Sequence, residues 1–198
     1  MDIGLFGGTF DPPHIGHINL ARRFYAKSRS DLLIVMPANI PPHKASSTTP
    51  AAMRLEMTRL ACLSLGEEGI NYTVSDYEIN RSDKSYTYLT VKYLREKYRP
   101  EVINLCVGSD MLFSFDTWKC AEEILASCRI FSLAREEGEY DEMCRKAKYF
   151  NDNYGADVHI MKGSPVVASS TDIRNGGKME KLTEKRVYEY IKSHGLYE

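Results

Sequence analysis

Near the start of the chain, Gly7-Gly8-Thr9-Phe10-Asp11-Pro12-Pro13-His14-Ile15-Gly16-His17 gathers glycines, a hydroxyl, prolines and two imidazoles into one short run. The run follows an apolar stretch, Ile3-Gly4-Leu5-Phe6, and leads into a helical pattern. At such a strand-to-helix junction backbone N–H groups converge, and the helix N-terminus carries partial positive charge. Gly7 and Gly8 let the backbone approach an anion with no Cβ in the way. His14 and His17, three apart on the first helical turn, can face one anionic group together, and a helix N-terminus favours the neutral imidazole as a donor. The chemistry is that of holding a phosphate chain. The plain alternative for the histidine pair is a Gly-Pro turn with two incidental surface rings.

A second group lies far along the chain: Ser169-Ser170-Thr171-Asp172-Ile173-Arg174, then Asn175-Gly176-Gly177. Hydroxyls and N-terminal amides suit phosphates, and Arg174 adds a charged fork from the same turn. Its plain alternative is an N-cap with a surface arginine.

The elements that must position these residues alternate. Strand-like runs lie at 2–6, 32–36, 72–79, 102–107, 129–133 and 157–161. The spacing predicts helices over about 16–27 (Ile18, Ala21, Phe24, Tyr25 on one stripe) and 50–65 (Met53, Met57, Leu60, Ala61). It also predicts them over 86–98 (Val91, Leu94, Tyr98, stopping before Pro100), 139–153 and 184–194 (Val187, Tyr190, Ile191, ended by Gly195). Strand-helix alternation implies an α/β fold with a doubly wound, mostly parallel sheet covered on both faces. Its ligands bind beyond the carboxyl ends of the strands, and the loop at 7–15 falls there. Residues 37–49 read as a long loop, of the kind that is often functional.

Length and charge set further bounds. At 198 residues the chain suits a single domain, 1–198, with a small C-terminal helical portion from about 168. With 26 basic and 27 acidic residues, net charge −1, there is no basic excess for broad nucleic-acid contact. No apolar run reaches membrane-spanning length, and the first residues lack the regions of a secretion signal. The expectation is a cytoplasmic protein with no nucleic-acid or membrane partner, a monomer or homodimer. The 5 cysteines (62, 106, 120, 128, 144) lack CxxC spacing and read as reduced thiols, with no protein-bound metal.

Taken together, the two phosphate motifs resemble those of the adenylyltransferase branch of the nucleotidyltransferase superfamily, and most closely the bacterial nicotinate-mononucleotide adenylyltransferases. The resemblance extends over nearly the whole chain. It includes Pro37 through Lys44 as a P-x-x-x-P-P-H-K loop, Ser85-Tyr86-Thr87, Gly108-Ser109-Asp110, Trp118, and the ending Val187-x-x-Tyr190-Ile191 through Leu196-Tyr197. It implies a Rossmann-like fold and adenylyl transfer from ATP to nicotinate mononucleotide, with Mg²⁺ carried on the ATP. ATP would lie over Gly7, Gly8, Thr9, Phe10, His14 and His17, with Gly108, Asp110, Ser169, Ser170, Thr171 and Arg174 completing its site. Thr9, Lys44, Ser85, Tyr86, Thr87 and Trp118 would meet the mononucleotide. His14, His17, Lys44 and Arg174 would carry the catalytic charge stabilisation.

The chain departs from the pattern at Ala168, where an isoleucine is usual, at Lys181-Leu182-Thr183, which lacks a proline, and at Tyr88-Leu89-Thr90. None of these is a phosphate ligand, so reaction type is better supported than base preference. The alternatives are a preference for nicotinamide mononucleotide, a phosphopantetheine adenylyltransferase, a cytidylyltransferase, or a non-catalytic nucleotide-binding module. His14-Ile15-Gly16-His17 with Lys178-Met179-Glu180-Lys181 also echoes class I aminoacyl-tRNA synthetases. The chain has no room for their usual tRNA-binding domains, and Arg174 fills the phosphate role better.

Overall fold

The computed structural model describes residues 1–42, 49–134, 138–163 and 168–197. Six strands form one sheet: β1 (Ile3–Gly8), β2 (Leu32–Pro37), β3 (Tyr72–Val74), β4 (Ile103–Val107), β5 (Cys128–Leu133) and β6 (Asp157–Met161). Their order is β3-β2-β1-β4-β5-β6, and every pairing is parallel. Each expected strand is present, but β3 stops at Val74 instead of running to 79. Ser75 N–H still reaches Val35 O at 2.9 Å, after which Asn80 N–H bonds Asp76 O (3.0 Å) and Arg81 N–H bonds Glu78 O (3.2 Å). The alternation in 75–79 therefore belongs to a turn, and that turn buries Glu78.

The long helices fall where the apolar spacing places them: α1 (Ile15–Ser28), α2 (Ala51–Glu67), α3 (Thr87–Tyr98) and α6 (Glu139–Tyr154). Two short helices, α4 (Ser109–Phe113) and α5 (Ala121–Ser127), and a 3₁₀ turn at Phe115–Thr117 are additional; runs this short carry no readable period. The C-terminal portion holds α7 (Ser170–Arg174), α8 (Met179–Leu182) and α9 (Lys185–Ser193).

Alternate residues of each strand feed two cores. Ile3, Leu5, Ile34, Met36, Leu105 and Ile130 point to the side covered by α3–α6. Phe6, Leu33, Val35, Cys106 and Phe131 point to the side covered by α1, α2 and α9. Burying each such side chain contributes about 1.5–3 kcal/mol. The stripes anticipated on α1 and α9 supply Ile18, Ala21, Phe24, Val187 and Ile191 to this second core. Arg29 and Arg99 end α1 and α3 in the left-handed region (φ 54° and 46°), their N–H groups returning to Tyr25 O and Arg95 O.

β1 sits where the strand order reverses, between β2 and β4. The crevice beyond its carboxyl end is where such sheets bind ligands. The segments leaving β1, β2 and β4 all open there. Among the described residues no helix is long and apolar enough to cross a membrane.

All 5 cysteines are free thiols, and Cys62, Cys106 and Cys128 are buried. Burial pushes the Cys62 thiol up to about 12 and that of Cys128 up to about 11, because a thiolate is poorly solvated there. Ellman's reagent at mildly alkaline pH is expected to titrate Cys120 and Cys144 rapidly in the native chain, and all five after unfolding. Rapid reaction of a third thiol in the native state would contradict this packing.

Candidate active site

The loop after β1 is shaped from within. Phe10 adopts a left-handed φ of 51° and is 2% exposed, so it offers a ligand its backbone and not its ring. Its ring fills the space over Gly8, where a Cβ would stand 2.8 Å from Phe10 Cζ. The absent side chain at Gly8 thus makes room for Phe10. A Cβ on Gly7 would meet only Met36 O, at 3.9 Å. The Phe10 ring also stands edge-on to His17, 5.0 Å between centroids at 73°.

His14 is the N-cap of α1, and His17 is its third residue. His17 N–H donates to His14 Nδ1 (3.3 Å), and His14 N–H donates to His17 Nδ1 (3.2 Å). The two rings stack 3.6 Å apart at 25°. This reciprocal cap settles the tautomer by geometry. A nitrogen that accepts carries no proton, so each neutral ring holds its proton on Nε2, the atom opposite the cap. In that tautomer the Nε2 donors of the pair lie on the ring edges away from the cap, at the start of α1.

Arg54, from α2, fixes this loop to its neighbour. It is 1% exposed. Its Nη1 donates to Thr9 O (2.7 Å) and Ala38 O (2.6 Å), Nη2 to Asn39 O (3.1 Å) and Nε to Thr49 O (3.3 Å). Burial lowers the guanidinium's pKa from its ordinary value, and the Asp11 charge opposes that. One planar fork thereby sets the distance between the loop leaving β1 and the segment leaving β2.

The second phosphate motif docks on the first. Ser170 Oγ donates to Pro12 O (2.9 Å), and Arg174 Nη1 donates to Asp11 O (2.5 Å). Arg174 Nη2 reaches Thr171 Oγ1 (3.2 Å), its Nη1 lies 3.9 Å from Asp11 Oδ2, and the side chain stays 34% exposed. Ser169 Oγ accepts from Thr171 N–H and Asp172 N–H, so these amides are already capped within the turn. Tyr197, after α9, closes the arrangement by donating its hydroxyl to Asp11 Oδ1 at 2.6 Å. Burial, and then Asp11, push that phenol above its usual range.

The other wall comes from the start of α3 and the segment after α4. Ser85 is buried: its Oγ accepts Asn39 N–H (3.1 Å), and its own N–H donates to Ile40 O (2.9 Å). Its hydroxyl therefore serves the wall's shape. Tyr86 and Thr87, at the start of α3, remain half-buried. Lys119 bridges the segments, its Nζ 4.8 Å from the Tyr86 centroid and 5.6 Å from that of Tyr88. Trp118 stacks on Phe115 (4.6 Å, 23°) and is otherwise half-buried. Gly108 caps α4, and Asp110 lies exposed in that helix's first turn. Lys44 and His43 lie outside the described residues. Among the described residues no group of three or more His, Cys, Asp or Glu is placed to hold a metal ion.

Arg54, Tyr197 and Asn39 build the site without having been singled out for it by residue type. Arg54 left one signal: a charge on the same helical stripe as Met57 and Ala61.

A family model described as cytidylyltransferase-like matches residues 5–176. A protein of Exiguobacterium sibiricum named probable nicotinate-nucleotide adenylyltransferase is 34% identical over 201 residues, covering 100% of this chain and 99% of its own length. One of the same name from Clostridium botulinum is 35% identical over 200 residues, covering 98% and 97%. Among solved structures, the Plasmodium falciparum nicotinic acid mononucleotide adenylyltransferase complexed with NaAD matches with a TM-score of 0.77 at 15% identity, over 99% of this chain and 97% of that one. The same enzyme complexed with APC gives 0.76 at 16% identity, covering 99% and 96%. At these identities the structural likeness speaks for the fold.

Replacing Arg54 by Met keeps the apolar stem and removes every donor to the four carbonyls. Stability is expected to fall by about 3 kcal/mol, since buried acceptors lose charged partners. Urea unfolding reads it, and an unchanged midpoint would contradict the clamp.

Proposed function

The chain belongs to the cytidylyltransferase-like family, on the branch of the nicotinate-nucleotide adenylyltransferases, and from that premise we propose that it transfers the adenylyl group of ATP to nicotinate mononucleotide. The products are deamido-NAD and pyrophosphate. The observation that carries the reading is the docking of Ser170 and Arg174 on Asp11 and Pro12, which gathers both phosphate motifs beside the histidine pair at the switch point of the sheet.

The mononucleotide phosphate is already a nucleophile at neutral pH, so the step requires no general base. One of its oxygens bonds to the α-phosphorus of ATP as the bond from that phosphorus to the α,β-bridging oxygen breaks, and that electron pair leaves with pyrophosphate. Catalysis is then positioning and charge stabilisation, with no covalent enzyme intermediate. His14 and His17 donate Nε2–H to phosphate oxygens. Arg174, already anchored on Asp11 O, turns its exposed edge to the departing phosphates. The Ser170 amide serves the same phosphates, and the Thr171 amide joins it when the ligand takes over from Ser169 Oγ. Lys44 supplies a further cation. Mg²⁺ arrives as part of the MgATP substrate, its ligands supplied by phosphates and water. On the opposite wall Thr87 meets the nicotinate carboxylate, and the face of Trp118 away from Phe115 receives the pyridine ring. Gly108 and Asp110, after β4, complete the ATP site, with Asp110 accepting from the adenosine ribose.

The test is pyrophosphate release from ATP and Mg²⁺, with nicotinate mononucleotide compared against nicotinamide mononucleotide. Turnover with the first alone is expected. Preference for the amide overturns the substrate, and turnover with neither overturns the reaction. His17→Ala is expected to lower turnover by about 10²–10³-fold, the usual effect of losing one transition-state donor. Its unfolding free energy in urea should fall only by the loss of the reciprocal cap, about 1 kcal/mol. Turnover near that of the wild type would remove His17 from the mechanism.

A further inference from the structure

The turn that replaces the end of the expected third strand delivers a carboxyl group into the interior. Glu78 is 8% exposed, and burying such a group is costly unless it is hydrogen-bonded. It accepts from Thr90 Oγ1–H in α3 and from the Ser85 hydroxyl. Arg81 is the nearby cation, and its guanidinium is already engaged by Asp83 and the Tyr77 hydroxyl. Burial raises the Glu78 carboxyl above the usual range, while Thr90, Ser85 and Arg81 pull it back.

A carboxylate only accepts, so both hydroxyls must point their protons at it. That leaves the lone pairs of Ser85 Oγ facing Asn39 N–H, which they accept at 3.1 Å. Asn39 passes the order on: its O accepts from Arg54 Nη2 (3.1 Å), and its Nδ2 donates to Arg81 O (2.5 Å). Arg54 in turn holds Thr9 O. The hydrogen-bond path from Thr90 through Glu78, Ser85, Asn39 and Arg54 to Thr9 joins the two walls of the crevice without a break.

We propose that Glu78 is a positioning residue for the second substrate: by orienting Ser85 it sets the wall at Ser85–Thr87 and ties it, through Asn39, to the Arg54 clamp on the phosphate loop. This rests on the proposed reaction, in which that wall meets nicotinate mononucleotide. Glu78 touches no substrate itself. Its replacement by Gln keeps the shape and one acceptor oxygen and removes a buried charge. It also replaces one acceptor oxygen by an NH₂ group, which weakens the hold on the two hydroxyls.

The experiment is steady-state kinetics on the full chain with both substrates varied, for the wild type, Glu78→Gln, Ser85→Ala and the double variant, alongside urea unfolding. The KM for nicotinate mononucleotide is expected to rise about tenfold in Glu78→Gln, the usual effect of losing a hydrogen bond to a charged group. The KM for ATP and the urea midpoint should stay near those of the wild type. The double variant should be no worse than the more impaired single one, because both act through one relay. Amide hydrogen exchange reads the same relay without turnover: Asn39 and Ser85 should exchange faster in Glu78→Gln. An unchanged KM for the mononucleotide, or equal rises for both substrates with a lowered midpoint, overturns the proposal while leaving the reaction intact. A wild type that does not turn over nicotinate mononucleotide overturns the reaction and, with it, the role assigned to Glu78.

Discussion

A buried guanidinium with four carbonyl partners holds this molecule's crevice in shape. Arg54 is almost wholly out of water, and a charge in that position must be matched by dipoles and counter-charge. The matching groups are the carbonyls of Thr9, Ala38, Asn39 and Thr49, with Asp11 supplying the opposing charge. Those carbonyls lie in the loop after β1, the segment after β2 and the approach to α2. Because the fork is planar and rigid, satisfying it fixes the three relative to one another. The left-handed Phe10, the Phe10 ring over Gly8 and the placement of His17 against that ring all follow from a loop held at Thr9.

Asp11 is the second fixed point. Its backbone oxygen takes Arg174, and its carboxylate takes the Tyr197 hydroxyl, so two segments remote in sequence meet on one residue. The histidine pair is ordered separately, by the reciprocal cap at the start of α1. In the proposed reaction two anions are brought together, and donors held in place beforehand do not have to reorganise as charge moves to the leaving group. Arg174 and the self-capped amides of α7 are the exception, since both have internal partners that a phosphate would share or replace.

The parts of the site that were legible in the sequence are those whose residue types announce their chemistry. Gly7 through His17 and Ser169 through Arg174 could be read as phosphate motifs because a strand-to-helix junction and a hydroxyl-rich turn have few other uses together. The sheet was legible because parallel strands buried on both faces are short apolar runs between helical stripes. Glu78 was hidden because the alternation around it, Tyr77 and Ile79 on either side, mimics a strand until Asp76 and Glu78 carbonyls close a turn. Tyr197 fitted a terminal pattern, but nothing local says that a phenol will reach Asp11. Ser85 is by type a ligand group, and what its type does not show is that its hydroxyl also meets Asn39 and Glu78. Arg54 could have been found: a charge in register with Met57 and Ala61 must be paired when that stripe is buried.

The central claim is direct transfer between two substrates held by a scaffold that supplies donors and forms no bond to the adenylyl group. The stereochemical course at phosphorus tests it most directly. ATP carrying one sulfur at the α-phosphorus, of single configuration, is turned over with nicotinate mononucleotide, and the configuration of the thiophosphate in the product is determined. A single in-line displacement predicts inversion. Retention would mean two displacements and a covalent adenylyl-enzyme, and would contradict the account.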